Sequence, residues 1–331
     1  MPKNLDFGIV NYNGGSELLK CIQTIRELRD VNTNIFIFDN ASTDNSISIA
    51  KNTFSDCTFI ESKKNIGYAG ACNALIPHLT TEIIVLCNMD LEFHKDWGKQ
   101  VLNCFKDHIE AASISTAVYD KETLRLYSGG VFFFYDLYPL SSEKLLSQDY
   151  PYNVFGSYGA IMTFRKDVFN KIGTFDEDYF LFFEETEFYL RMNMNGLKTM
   201  YCPTAKVFHH RSISTIRYSP LKLFYSERNR ILTAFKYLPL FYFPFVFPFS
   251  VIRFLIMAKS SGIPGSDGQG KRINKQAIIL TIVKAWFEAF YKIPREWKKR
   301  QAIWKHTKYS PLDTLTLIKK YPLSFSDLKI K

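Results

Sequence analysis

The chain has 331 residues, 47% of them hydrophobic, which is enough for a full catalytic core with an extension behind it. A net charge of +10 directs attention to anionic partners: nucleotides, nucleic acid or acidic lipid headgroups. The six cysteines form no Cys-x-x-Cys pair and have no histidine at zinc-finger spacing, which excludes a zinc finger and reads as reduced, mostly buried thiols. Lys3-Asn4-Leu5-Asp6 leads straight into an apolar strand without a signal-peptide pattern, so a cytoplasmic catalytic part is expected.

Residues 7–10 form a short apolar run that ends in Asn11-Tyr12-Asn13-Gly14-Gly15. Helical periodicity follows over 16–28, with Ser16 as an N-cap. Residues 34–38 are the next strand, 39–45 a turn, 45–54 a helix and 57–60 a third strand. A helix is expected over 70–79, then a fourth strand over 83–87 whose unbroken apolar run implies burial on both faces. Strands and helices alternating at this spacing predict a parallel α/β sheet, which binds ligands at the carboxyl ends of its strands.

The middle is less regular. Tyr127-Ser128-Gly129-Gly130 precedes an aromatic run, 140–152 is a polar loop, and 155–164 holds a strand with small residues. The turn at 173–178 leads into an acidic helix, and 198–208 is a last strand before His209-His210. Composition shifts after about residue 214: a basic-aromatic helix over 221–237, then an apolar stretch over 238–257 holding Pro239, Pro244, Pro248 and Arg253. A Gly/Ser linker at 260–270, an amphipathic helix at 278–290 and a Lys-, Arg- and Trp-dense stretch at 292–305 complete it. This divides the chain into domains 1–215 and 216–331.

Five polar clusters interrupt these apolar elements. Asp39 opens Asn40-Ala41-Ser42-Thr43-Asp44, where its carboxylate can accept from a ribose hydroxyl or a base, or can cap the following helix as an Asx-turn. Asn65-Ile66-Gly67-Tyr68-Ala69-Gly70 places glycines at a helix start, where backbone N–H groups favour a pyrophosphate, with Asn73 one turn on. Asn88-Met89-Asp90 ends the buried strand as a turn, or holds Mg²⁺ or Mn²⁺ against two phosphates. His209 is either a satisfied surface histidine or a further metal ligand, with Arg211 beside it as a phosphate contact. Within the run 179–191, Glu184, Glu185 and Glu187 lie in an aromatic block, which raises carboxyl pKa values and suits a general base; an ordinary amphipathic helix start gives the same pattern.

The ordered set Val10-Asn11-Tyr12-Asn13, Asp39 to Asp44, Asn65 to Gly70, Asn88-Met89-Asp90 and Phe183-Glu184-Glu185 resembles glycosyltransferase family 2, in its rhamnosyltransferase-like branch of bacterial polysaccharide synthesis. The resemblance covers roughly residues 5–235. It implies a GT-A fold: Rossmann-like α/β, with a mostly parallel sheet flanked by helices, here followed by a helical extension. It also implies a nucleotide-sugar donor, a divalent cation (Mg²⁺ or Mn²⁺) and inversion at the anomeric carbon. Asp90 then carries the metal contact with His209, and Asn88 is auxiliary. Asn11, Asn13, Asp39, Asn65, Gly67, Asn73, Asn88 and Arg211 line the nucleotide-sugar site. Glu185 stands where the family usually has Asp as base, and Glu184 and Glu187 orient loops or the acceptor. The Gln-x-x-Arg-Trp motif of processive synthases is absent, which favours transfer of one sugar.

The apolar stretch 238–257 contains three prolines and Arg253, so a kinked or interfacial segment fits better than a clean span of about 20 residues. Basic, Trp-containing helices suit an anionic membrane surface, and basic residues alternating with apolar ones argue against nucleic acid. The expected partners are therefore a nucleotide-sugar donor, a saccharide acceptor that can be polyprenyl-linked, and the cytoplasmic face of the cell membrane. A nucleotidyltransferase would need cations after the first strand, which Asn11-Tyr12-Asn13-Gly14-Gly15 lacks; a catalytically degenerate scaffold is the non-enzymatic alternative.

Overall fold

The computed structural model describes residues 4–140, 150–210, 220–260, 275–307 and 309–328. By internal contacts the chain forms two compact units. The first comprises Met1–Val131, Ser141–Phe180 and Glu184–Arg211. The second comprises Ser212–Lys331 and takes in Phe132–Leu140 and Leu181–Phe183 from earlier in the chain.

The first unit begins with four parallel strands: β1 (Asn4–Asn11), β2 (Asn32–Asp39), β3 (Thr58–Glu61) and β4 (Ile83–Asn88). Helices α1 (Gly15–Arg26), α2 (Ser46–Thr53) and α3 (Gly67–Leu75) make the crossovers. The spatial order is β3-β2-β1-β4, so the direction of winding reverses between β1 and β4. In such sheets the carboxyl ends at the reversal form the natural ligand crevice. Every β4 residue from Ile83 to Cys87 is buried, as its continuous apolar run requires.

Beyond β4 the sheet becomes mixed. It continues through β5 (Leu91–Phe93), α4 (Trp97–Asp107), β6 (Ala111–Asp120) and β7 (Leu126–Ser128). A separate hairpin follows, β8 (Phe132–Phe133) with β9 (Pro139–Leu140). Then come β10 (Tyr152–Val154), β11 (Ile161–Arg165), α5 (Asp167–Ile172), α6 (Glu184–Met194) and β12 (Lys198–His209). Strand β11 inserts antiparallel between β4 and β6, while β12 runs parallel to β6 and carries β5 and β10 antiparallel. Phe7, Phe93 and Trp97 pack edge-to-face under the sheet, with ring centroids 5.0–5.6 Å apart. Each such ring contributes on the order of 2 kcal/mol through burial.

The second unit is helical: α7 (Pro220–Tyr237), α8 (Val246–Ser260), α9 (Lys275–His306) and α10 (Pro311–Lys320). Where the sequence suggested a helix over 278–290 followed by a Lys-, Arg- and Trp-dense stretch at 292–305, one 32-residue helix covers both and runs through Pro294. Proline costs this helix one backbone hydrogen bond, and packing against α7 over the rest of its length keeps it continuous. Arg300 donates to the carbonyls of Lys236 and Leu238 at 3.1 and 2.8 Å, and the Trp304 indole donates to Lys236 at 2.9 Å, which satisfies the C-terminal carbonyls of α7. Asn229 donates to the carbonyls of Leu181 and Phe182 at 2.9 and 2.7 Å. That bond holds a segment in which Phe182 and Phe183 have φ of 64° and 72°, a conformation side chains rarely adopt.

Arg253, the one charge in the apolar stretch 238–257, lies in a buried ion quartet. It donates to Asp136 at 2.9 Å and to Glu227 at 2.7 Å, and Arg230 donates to Glu227 at 2.7 Å and to the Asp136 carbonyl at 2.8 Å. Burial alone would raise the Glu227 carboxyl, but the two guanidiniums outweigh it and bring it to about 2. Two positive and two negative charges cancel, so the quartet ties α7 and α8 to the β8–β9 hairpin without a net buried charge. Because the folded value lies below the unfolded one of about 4.3, this contribution is complete above that pH and is lost as pH falls toward 2. Arg253→Ala is expected to cost about 3–5 kcal/mol in urea unfolding at neutral pH. A loss below about 1 kcal/mol would show that the quartet does not hold the unit together.

Candidate active site

The polar clusters gather at the carboxyl ends of β1, β2 and β4. Asn11 is fully buried, and its amide donates to Asp39 at 2.9 Å and to Ser42 and Ser46 at 3.1 Å each. Asp39, also buried, accepts in addition from the Ser42 backbone at 3.1 Å, which makes it the Asx-turn of the 39–45 segment. Asn13, at φ 53°, accepts from the backbone of Thr43 at 2.7 Å and of Asp44 at 3.3 Å. Gly14 is needed here because a β-carbon would lie 2.3 Å from Asn11 Oδ1 and 2.8 Å from Met89 Cγ. Asn11 and Asn13 thus brace the loop carrying Asp39.

The Asn65-to-Gly70 segment is a bracket for the acidic helix. Asn65 accepts from Asn40 at 3.1 Å and from the Gly67 backbone at 2.9 Å. The Tyr68 N–H donates to the Phe180 carbonyl at 2.6 Å. Two of the donors expected to face a pyrophosphate are therefore used within the protein. Gly67 has φ 77°, and a β-carbon there would meet the Phe180 oxygen at 2.2 Å, so only glycine permits this approach. Asn73 likewise turns to the loop before α6: it donates to the Phe175 carbonyl and to Glu177, and accepts from the Phe175 N–H, each at 2.9 Å.

Asp90 and His209 meet beyond the ends of β4 and β12. The Asp90 carboxylate lies 3.2 Å from His209 Nε2, and both side chains are buried. Strand alternation turns the adjacent His210 the other way, toward Glu92 and Glu17. A carboxylate oxygen and an imidazole nitrogen at this distance fit a divalent cation whose remaining ligands come from phosphates and water. Asn88 is half-buried, with its backbone N–H bonded to the Ala160 carbonyl at 2.9 Å. Arg211 and most of the 140–152 loop (residues 141–149) lie outside the described residues.

Tyr158 links this pair to the acidic helix. Its ring packs edge-on against His209 at 5.8 Å and against Tyr127 at 5.4 Å. Burial first, then Tyr127 and the carboxylates of Asp90 and Glu185, hold its phenol well above the ordinary value, so it is neutral. Next to it, a β-carbon on Gly159 would lie 3.0 Å from the Glu185 carboxyl carbon, and Tyr68 donates to the Gly159 carbonyl at 3.0 Å. Sequence reasoning passed over Tyr158 and Gly159; the small-residue run Gly156-Ser157-Tyr158-Gly159-Ala160 was the available signal.

The three acids at the start of α6 divide the work. Glu184 is buried, its Oε2 has no hydrogen-bond partner among the described residues, and burial followed by the charge of Glu185 push it well above the usual carboxylate range. Glu187 is paired with Arg191 at 2.9 Å, and Arg191 also donates to the Ile172 and Thr174 carbonyls at 2.7 Å each. Glu187 therefore fixes the turn between α5 and α6. Glu185 is the carboxylate beside Gly159 and within electrostatic reach of Tyr158.

With this arrangement in view, the comparison with known families is decisive: the profile described as glycosyl transferase family 2 matches residues 6–173. The chain belongs to glycosyl transferase family 2. It is a glycosyltransferase, similar to rhamnosyl- and hexosyltransferases of glycan biosynthesis. One relative is the N-acetylglucosaminyl-diphospho-decaprenol L-rhamnosyltransferase of Mycobacterium tuberculosis, 22% identical over 240 residues, covering 63% of this chain and 76% of that protein. Another is the low-salt glycan biosynthesis hexosyltransferase Agl10 of Haloferax volcanii, 23% identical over 247 residues, covering 71% of this chain and 76% of that protein. Solved structures with the same fold include GalNAc-T7 with UDP, GalNAc and Mn²⁺, at TM-score 0.60 and 13% identity. That match covers 88% of this chain, which spans 57% of the GalNAc-T7 chain. S. aureus TarS 1-349 matches at TM-score 0.55 and 11% identity, covering 86% of this chain and 80% of that one. The fold is GT-A.

Glu184 gives a pH signature. Its folded pKa lies above the unfolded value of about 4.3, so stability is fully present below that pH and falls as pH rises through the folded value. Glu184→Gln should remove the fall in melting temperature that wild type shows as pH rises above the unfolded value of about 4.3. Parallel pH profiles for the two proteins would show that Glu184 ionises as easily folded as unfolded.

Proposed function

We propose that this glycosyltransferase moves one sugar from a nucleotide-sugar donor, a dTDP-rhamnose or UDP-hexose, to a saccharide hydroxyl on a polyprenyl-diphosphate carrier, with inversion at the anomeric carbon. The observation that carries the reading is the convergence of the Asp90–His209 pair and Glu185 on Tyr158, beside the winding reversal of the sheet. The acceptor class follows the mycobacterial relative, an N-acetylglucosaminyl-diphospho-decaprenol L-rhamnosyltransferase. An acceptor of this class supports the reading that the enzyme works at the cytoplasmic face of the membrane.

Glu185 takes the proton of the acceptor hydroxyl as its oxygen bonds to the anomeric carbon from the face opposite the leaving group. The bond to the nucleotide diphosphate breaks with its electron pair, and configuration inverts. Asp90 and His209 would hold a Mg²⁺ or Mn²⁺ ion, which when bound neutralises charge on the diphosphate. A neutral Glu184 confines the charge of the acidic pair to Glu185. Asn11, Asn13 and Asp39 present a braced loop to the nucleoside, and neutral Tyr158 packs between the metal pair and the base.

Two measurements test this. Wild type should show a Mn²⁺-dependent rise in melting temperature with one of UDP, dTDP or GDP, equivalent to about 2.7 kcal/mol at roughly a hundredfold excess over Kd. Asp90→Ala should lose that rise, and its persistence would remove Asp90 from the metal site. Glu185→Gln should keep the nucleotide response while transfer falls by about 10²- to 10⁴-fold. Near-normal turnover in that variant would assign the base elsewhere, and nucleotide binding by wild type without any transfer would favour a degenerate scaffold.

A further inference from the structure

Helix α9 is apolar on two faces. Ala285, Ala289, Glu296 and Arg300 are buried on its inner side, where it packs along α7. Its outer side carries Ile279, Val283, Phe287 and Tyr291 at steps of four, one continuous stripe. Phe287 is 75% and Tyr291 81% exposed. A helix on the surface of a soluble protein places polar residues there. Helix α8 adjoins this stripe through Phe247, whose ring meets Trp286 at 5.1 Å and stacks on Phe290 at 5.5 Å. It adds Val251 and Leu255, exposed at 49% and 65%, and the turn before it adds exposed Phe241 and Phe245. Large apolar side chains left open together on neighbouring helices are the mark of an interaction surface.

Charge says what covers this face. Residues 212–331 carry 22 Lys and Arg against 6 Asp and Glu, whereas residues 1–211 carry 20 against 26. The whole positive excess of the chain is therefore in the extension. Exposed Lys284, Arg295 and Lys298 flank the α9 stripe. Two copies of so basic a surface repel each other, while an anionic bilayer attracts it and accepts the apolar side chains. No helix among the described residues is long and apolar enough to cross a membrane.

We propose that the outer faces of α8 and α9 form a docking surface for an anionic phospholipid bilayer, with the helices lying in the headgroup plane rather than spanning it. The inference rests on the lipid-linked acceptor reading, for which it supplies the means of approach. Sedimentation of the full chain with phosphatidylcholine vesicles, with and without phosphatidylglycerol, tests it alongside Val283→Ser/Phe287→Ser. Both side chains are exposed, so the variant should keep the wild-type melting temperature and nucleotide response. Wild type should bind phosphatidylglycerol vesicles at least about tenfold more tightly than neutral ones and lose this preference near roughly 1 M salt. The double variant should bind at least about tenfold more weakly than wild type.

Equal binding of wild type and variant, or none to anionic vesicles, would overturn the proposal. So would a concentration-dependent dimer that the variant abolishes, since the face would then be an interface between copies. Transfer to a short-chain, water-soluble acceptor separates the two readings. If the variant keeps that activity while losing vesicle binding, the docking surface is supported. If wild type binds vesicles but transfers nothing, the catalytic reading fails and the surface stands.

Discussion

The site depends on the antiparallel insertion of β11 between β4 and β6. That ladder pairs Ile161 with Cys87 and bonds the Asn88 N–H to the Ala160 carbonyl, so the residues just before β11 are carried to the open end of β4. Tyr158 and Gly159 arrive there, Tyr158 against His209 and Gly159 against Glu185. The pairing of β12 with β5 sets Leu91 opposite His209, which brings the imidazole to Asp90 one residue away. Removing the reversed strand would leave the Asp90–His209 pair and the acidic helix without their common neighbour. Strand order, rather than any local motif, makes one site of these parts.

Two solutions to buried charge occur in the molecule, and they serve different ends. In the second unit, Glu227 keeps its charge because Arg230 and Arg253 both donate to it. In the first, burial and the charge of Glu185 drive Glu184 toward its protonated form. The paired quartet fixes architecture. The dehydrated acid is thereby held back from adding a second charge beside Glu185. Glu187 and Arg191 follow the first pattern and hold the turn ahead of α6.

Charge divides along the chain: residues 1–211 carry an excess of acids, and residues 212–331 carry the whole positive excess together with the exposed apolar side chains of α8 and α9. Such segregation is what the proposed docking of the extension on an anionic surface would use.

Much was legible in the sequence. The strands β1, β2 and β4 and their polar ends could be read because a buried strand tolerates polar residues only where it stops, and the five ordered motifs gave the family and the GT-A fold. Those motifs also named Asp90, His209 and the Glu184–Glu187 cluster, and the structure brings Asp90 within 3.2 Å of His209. Tertiary structure decided the rest. It turned Asn73 and Asn65 to loop bracing and left Glu184 as the dehydrated acid. It placed Arg253 in an ion quartet and carried α9 through Pro294, and it brought Tyr158 and Gly159 to the centre of the site. The reason is physical. Local pattern fixes which face of an element is apolar and where the element ends, because these depend on neighbours a few residues away. The partner of a buried polar group and the loss of its water depend on strands and helices far apart in sequence, which only the packed sheet brings together.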